Sequence, residues 1–174
     1  MKNLMLVVLL SVVISCAPIY VNYDYDKNVD LSQYKTYQYF ADMETGLNEL
    51  DTKRLLDALD AKLKENGFSI SETPDFLIDI KSAEYQNPQH ETVGVGVGGG
   101  SGGVGGGISI GLPIGQPRTT KEIVFEFVDA DKKQLFWQAV SEAGFSTRSA
   151  PVEKEARLKA IVEKVFKKYP PKIN

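Results

Sequence analysis

The sequence has very little of the chemistry that metal centres and disulfide frameworks require. Its 174 residues include a single cysteine and a single histidine. One cysteine excludes an internal disulfide and a cysteine-rich zinc site, and one histidine disfavours a histidine-based metal centre or an ordinary Ser/His/Asp triad. The formal net charge of −3 provides no basic field, which argues against nucleic acid as a partner. A hydrophobic content of 43% and this length are typical of one folded domain.

The chain begins with an apolar run that is too short to cross a membrane. Residues 4–14 form an 11-residue, nearly unbroken apolar stretch that follows Lys2. A transmembrane helix needs about 20 residues, whereas a run of this length after a positive charge is typical of a secretory signal. We therefore predict a signal peptide over residues 1–15.

The end of this stretch, Val13-Ile14-Ser15-Cys16, resembles the bacterial lipobox. The resemblance implies cleavage before Cys16 and a lipidated N-terminus over residues 16–18, with lipid on the thiol and on the new amino group. A secreted protein with an incidental cysteine is the alternative. Ala17 stands where Asp would retain a lipoprotein in the inner membrane of diderm bacteria, so we expect the periplasmic face of the outer membrane.

The remaining chain, residues 19–174, reads as a single α+β domain. Apolar and polar residues alternate over 19–26, 34–40, 75–85, 119–129 and 134–141, which predicts strands. Leucines spaced along one face predict a helix over 48–66, and Pro151 opens a second amphipathic helix over 152–169. Short links between strands predict a mainly antiparallel sheet with both helices packed on one face, a two-layer sandwich.

A glycine-rich loop at about residues 92–117 holds 12 of the 15 glycines. It is either a flexible hairpin connector or a loop that touches a partner or a membrane, for example as an edge strand. Val93–Val97 and Ile108–Ile110 are expected to form strands, with Leu112–Pro117 breaking the second. The apolar residues that would make the contacts are Val93, Val95, Val97, Ile108, Ile110, Leu112 and Ile114.

Other patterns have ordinary explanations. Gly94–Gly99 matches G-x-G-x-x-G, but more glycines follow and no helix can begin there, so we predict no nucleotide site. His90 is interpreted as a lone loop residue, and Asp129 and Asp131 as turn formers, because their loop lacks the glycine and glutamate of an EF-hand. We identify no catalytic residue, metal ligand or cofactor apart from the lipid on Cys16.

Several local signatures, in order along the chain, resemble the lipoproteins grouped as domain of unknown function 4136. They are Cys16 before a Tyr/Asp strand, Leu31–Tyr37, Arg54, Gly67-Phe68, Pro74–Ile78, a glycine-rich connection, Asp129, Trp137 and the closing Phe166–Pro171. The resemblance spans nearly all of the mature chain. It implies a bacterial envelope lipoprotein without an established reaction, and it provides no catalytic residues.

These observations favour a non-enzymatic interaction or scaffold module in the cell envelope. Its expected partners are the membrane, through the lipid on Cys16, and another envelope protein. The alternative is a small-molecule or lipid-binding module with a pocket between the helices and the sheet.

Overall fold

A computed structural model describes residues 18–86, 92–95, 110–113, 118–146, 148–167 and 169–170. The strands are β1 (Ile19–Tyr25), β2 (Thr36–Tyr39), β3 (Ser69–Ile70), β4 (Phe76–Gln86), β5 (Thr92–Val95), β6 (Ile110–Pro113), β7 (Arg118–Asp129) and β8 (Leu135–Ser146). The helices are a short 3₁₀ turn (Leu31–Gln33), α1 (Glu49–Glu65) and α2 (Pro151–Phe166).

Six of the strands form one mixed sheet in the order β1-β8-β7-β4-β2-β3, and β5 and β6 form a separate antiparallel pair. The pairs β1–β8, β8–β7 and β7–β4 are antiparallel, whereas β2 is parallel to both β3 and β4. The α+β prediction is confirmed, with a parallel edge. The edge is parallel because α1 follows β2 and returns the chain to the end of the sheet at which β2 began. Such a crossover connection is what two parallel neighbouring strands require.

The helix boundaries agree with the capping residues in the sequence. The Asn48 side chain accepts a hydrogen bond from the Asp51 amide at the start of α1, and Asn66 follows its last turn. Pro151 is the first residue of α2, as predicted. The helix ends at Phe166, three residues before the predicted end, although Tyr169 still lies buried against the core.

Strand β8 differs from its prediction in length and in one face. It continues to Ser146 because β7 pairs with it over its whole length, to Arg118 opposite Ser146. A register shift at Phe127/Val128 places Phe136 inside with Trp137, while Leu135, which strict alternation with Trp137 and Ala139 would place inward, is 48% exposed. A bulge puts two residues opposite one, so the alternation of faces shifts by one residue.

The space between the helices and the sheet is filled by side chains. From α1 come three leucines and from α2 five apolar residues, and the sheet contributes mostly aromatic and branched side chains. The most deeply buried members are Leu55, Leu59, Leu63, Phe76, Ile78, Ile80, Ile123, Phe125, Phe127, Trp137, Leu158, Ile161 and Val165. Burial of this apolar area is the main stabilising contribution to the fold.

The two helices lie side by side, run in the same direction and are linked at both ends by ion pairs. Lys154 Nζ lies 4.0 Å from Asp51 Oδ2, and Lys62 Nζ lies 2.8 Å from Glu163 Oε2. Asp51 also accepts hydrogen bonds from Asn48 and from Arg54 Nη1, at 2.7 and 2.6 Å. Burial alone would raise the pKa of Asp51, but these donors lower it below its usual value. Arg54 therefore helps to hold Asp51 in place at the start of α1, where Asp51 also faces Lys154 of α2.

Candidate interaction surface

The first described strand starts close to Cys16 in the sequence. Cys16 lies outside the described residues, but β1 begins at Ile19 and pairs at once with Ala143 of β8. Just before the strand, the Pro18 carbonyl accepts a hydrogen bond from Arg157 Nη2 of α2 at 3.2 Å. The first described residues are thus held by both layers, and a single residue, Ala17, separates Cys16 from Pro18.

The side of the sheet that faces away from the helices, here called the open sheet face, is covered by no helix of the described part of the chain. Register places four apolar residues near its middle: Val124 lies opposite Val140, and Val128 lies opposite Leu77. These side chains are partly exposed. Carboxylates surround them on four strands, namely Asp24, Asp79, Glu122, Glu126 and Glu142.

Ion pairs on the open sheet face balance some of this negative charge. Lys81 Nζ lies 2.8 Å from Asp79 Oδ2 and 3.0 Å from Glu126 Oε2, and these two carboxylates raise its pKa. Glu122 and Glu142 stand directly opposite each other on β7 and β8. Like charges facing each other across a strand pair are unfavourable. The face therefore combines apolar side chains with an excess of negative charge that a cationic partner would relieve.

Four of the predicted contact residues of the glycine-rich loop lie in described strands. Val93 and Val95 lie on β5, opposite Leu112 and Ile110 of β6 in the ladder register. The predicted strand break at Leu112–Pro113 is wrong, because both residues belong to β6 and Pro113 occupies the end of the ladder. Val97, Ile108 and Ile114 lie outside the described residues, as does His90.

Asp129 serves the β7–β8 turn, in line with its predicted role. Its Oδ1 accepts hydrogen bonds from the amides of Asp131 and Lys132 at 3.0 and 2.8 Å, and its Oδ2 accepts one from the Tyr34 hydroxyl at 2.9 Å. The amide of Lys132 is the main cause of its lowered pKa. Burial, together with Asp129, raises the pKa of Tyr34 to about 12. These contacts account for the position of the carboxylate in the turn.

A second carboxylate, Asp60, connects α1 to the sheet and was not identified from the sequence. Its Oδ1 accepts hydrogen bonds from the hydroxyls of Tyr37 at 2.8 Å and Tyr39 at 2.6 Å. Burial, followed by the hydrogen bond to Asp60, raises the pKa of both tyrosines. The sequence does contain a signal for this contact, because Tyr37 and Tyr39 stand two residues apart and so lie on the same face of a strand. Two hydroxyls buried on that face need an acceptor from the helix that covers it.

Replacing this acceptor should destabilise the fold. We expect Asp60→Ala to lower the free energy of unfolding by about 2–6 kcal/mol, because two largely buried hydroxyls lose their partner at about 1–3 kcal/mol each. The measurement is urea unfolding followed by circular dichroism. Asp57→Ala is the matched control, since Asp57 lies on the same helix, is 64% exposed and pairs with Lys53, and should cost at most about 0.5 kcal/mol. Equal losses in the two variants would contradict a structural role for Asp60.

The described residues form two depressions. One, of about 680 Å³, lies on the outward side of the helix layer. The other, of about 220 Å³, lies where the ends of β1 and β8 meet and is lined by Asp24, Tyr25, Asp26, Leu135, Phe136, Trp137 and Gln138. Within the described ranges, no group of three or more His, Cys, Asp and Glu side chains could hold a metal ion. Neither α1 nor α2 has the length and apolar content needed to cross a bilayer.

Comparisons with known proteins identify a matching family and similar folds. The sequence model of the domain of unknown function DUF4136 matches residues 21–171. No curated protein matches the chain. A PDZ domain protein from Parabacteroides distasonis is similar in structure, with 14% identity and a TM-score of 0.55 over 98% of this chain and 40% of that one, so this chain spans less than half of its length.

Two crystal structures of PelC dodecamers from Paraburkholderia phytofirmans are also similar, each over 86% of this chain and 95% of that one. Their identities are 11% and 10%, and their TM-scores 0.48 and 0.49. At these identities the likeness to solved structures concerns the fold alone. The family match covers the body from β1 to the end of α2 and confirms the resemblance found in the sequence: the chain belongs to the DUF4136 family.

Proposed function

We propose that the protein is a cell-envelope lipoprotein, anchored by lipid on Cys16 at the periplasmic face of the outer membrane, and that it acts as a non-enzymatic interaction or scaffold module. The observation that carries the scaffold role is the open sheet face. One side of the sheet packs on two helices, while the other presents valines and a leucine among carboxylates. Partly exposed apolar side chains within a polar rim are typical of protein interaction sites.

The short distance in sequence between Cys16 and the first described strand supports the anchor. A lipid on Cys16 would be joined to a strand that begins three residues later, and Pro18 is bound to Arg157. Two residues of extended chain reach at most about 7 Å, so the domain would sit directly against the membrane surface. A module held at this distance can link the membrane to a second envelope protein.

The charges on the open sheet face indicate the chemistry of that second protein. Five carboxylates surround the apolar residues, and Lys81 offsets part of their charge. A partner that places lysine or arginine beside an apolar ridge would relieve the repulsion between Glu122 and Glu142. The partner surface is therefore expected to be basic with an apolar centre.

The alternative, a ligand pocket between the helices and the sheet, has less structural support. That space holds fully buried leucine, isoleucine and aromatic side chains, which pack against one another. The larger of the two depressions described above lies on the outward side of the helix layer, and the smaller one lies where the ends of β1 and β8 meet. A ligand between the layers would have to displace core side chains.

Photocrosslinking in intact cells tests the scaffold role. A benzoylphenylalanine in place of Val140, on the open sheet face, should form a protein adduct, whereas the same residue in place of Val152, 70% exposed on α2, should not. We expect Glu122→Gln together with Glu142→Gln to lower the adduct yield several-fold, because the rim charges attract the partner. Equal protein adducts from both positions, or none from Val140, would argue against the open sheet face as the docking site.

A further inference from the structure

The depression on the outward side of α2, here called the basic groove, carries a cluster of lysines. Two small residues, Ala156 and Ala160, line it together with three exposed lysines, Lys159, Lys164 and Lys167, and with the Lys62–Glu163 pair. Small side chains on this side of the helix let a flat surface approach it closely. Val152, one of the most exposed apolar residues in the described chain, begins the same side of the helix four residues before Ala156.

The basic groove is cationic although the chain as a whole is acidic. The carboxylate in its lining, Glu163, is already paired with Lys62 at 2.8 Å. Glu153, in the first turn of α2, is occupied in capping, since its Oε2 accepts a hydrogen bond from the Ala150 amide at 2.9 Å. Among the described residues, no carboxylate pairs with the three exposed lysines, in a protein whose formal charge is −3.

One end of the groove, at Ala156, lies near the point where the chain leaves the domain toward Cys16, and the groove runs from there along α2. Arg157 of α2 holds the Pro18 carbonyl, and farther along the helix the Lys164 carbonyl accepts a hydrogen bond from the Tyr23 hydroxyl at 2.7 Å. Helix α2 therefore runs alongside β1 from the end that carries Pro18. A surface that holds a lipid on Cys16 must lie within about 7 Å of Pro18, which places it beside this helix.

The opposite side of the domain has the opposite charge. The open sheet face carries five carboxylates, so an anionic surface would repel it and attract the basic groove. Each lysine near an anionic membrane changes the preference for that surface by about fivefold, so three lysines can set the orientation of a tethered domain.

We propose that the basic groove docks on the anionic phospholipid headgroups of the membrane that holds Cys16, so that the helix layer faces the bilayer and the open sheet face points away from it. This inference rests on the proposed lipid anchor, which supplies the proximity. The lysines then supply the orientation, and together they present the acidic sheet face to a partner.

Lysine reactivity in vesicles tests the orientation within one molecule. The full-length protein, purified in detergent, is reconstituted into vesicles of phosphatidylcholine alone or with about 30% phosphatidylglycerol, and lysine acetylation is read by mass spectrometry. We expect Lys159, Lys164 and Lys167 to react about threefold or more slowly in the anionic vesicles, and to lose this protection at about 1 M salt.

Three other lysines are the internal control. Lys27, Lys35 and Lys133 are exposed and follow or precede strands at the end of the sheet far from Pro18. Their reactivity should be the same in the two kinds of vesicle. Replacing the groove lysines in Lys159→Gln, Lys164→Gln and Lys167→Gln together should abolish the difference in acetylation between the vesicles at a fourth position, Lys62 of the groove lining.

Flotation of the same samples separates the two proposals. If the protein floats with both kinds of vesicle but the groove lysines react equally, the anchor stands and the docking is overturned. If it floats only with anionic vesicles and the groove lysines are protected, the docking stands and the anchor fails. Protection of the control lysines instead of the groove lysines, or no flotation at all, overturns the docking.

Discussion

Phe127→Ala should lower the free energy of unfolding by about 3–5 kcal/mol, the cost of removing a large aromatic side chain from a core. Phe127 lies at the centre of the aromatic cluster and is fully buried. Its ring centroid is 4.6 Å from that of Trp137, 4.8 Å from Phe76 and 5.5 Å from Tyr169. These rings come from three strands and from the segment after α2, so one deletion removes contacts that join both layers.

The measurement is urea unfolding followed by circular dichroism and by the fluorescence of Trp137, the single tryptophan. Phe127→Leu should cost only about 1–2 kcal/mol, because leucine fills most of the space. Tyr85→Ala is the matched control: this aromatic residue of β4 is 54% exposed, and its loss should change stability by at most about 0.5 kcal/mol. If Phe127→Ala lowers the free energy of unfolding by no more than the control does, the aromatic cluster does not contribute the main stability of the core.

The sequence was sufficient to predict those helices and strands in which apolar residues recur regularly over many positions. The leucines of α1 and the alternation of Ile123, Phe125 and Phe127 predict a helix and a strand, and the structure has both. Strand β3 was not predicted, because two residues, both exposed, give no period to detect. The parallel pairing of β2 with β4 depends on where α1 crosses the sheet, which is a tertiary property.

The open sheet face could be predicted only in part. Leu77 already makes the outward side of β4 partly apolar in the sequence. Its neighbours Val124, Val128 and Val140 are informative only when register brings three strands together. Each valine alone is typical of any strand, because β-branched side chains are common on either face. The facing charges could not be predicted either, since Glu122 and Glu142 stand opposite each other only through the β7–β8 pairing.

The basic groove and the open sheet face lie on opposite layers and carry opposite charge. Under the two proposals, a tether of a few residues would restrict the distance of the domain from the membrane but not its rotation, and the lysines would restrict the rotation. A partner would then meet the same surface of every anchored copy, which raises the effective concentration of productive encounters.

Cys16→Ser should release the protein from the membrane. The thiol is the proposed site of lipidation, and each buried CH₂ of an acyl chain contributes about 0.8 kcal/mol to membrane binding. One chain alone binds marginally, with an association constant of about 10⁴ M⁻¹, whereas two or three chains hold a protein stably. Three groove lysines without lipid would give only weak, salt-sensitive binding, so we expect the membrane-bound fraction to fall at least about tenfold in high salt.

The design must prevent the uncleaved leader from acting as an anchor in its own right. Residues 1–15 are therefore replaced by the signal peptide of a secreted, non-lipidated protein in the Cys16→Ser variant, and the mass of the product confirms cleavage. Ser15→Ala, which keeps a small residue before Cys16, is the matched control and should remain in the membrane fraction with its lipid. Because the body would otherwise be unchanged, its unfolding curve should match that of the control. A cleaved Cys16→Ser product that still sediments with membranes in high salt would show that something other than lipid on Cys16 holds the domain there, and the close tether inferred from Pro18 and Ile19 would then lose its role.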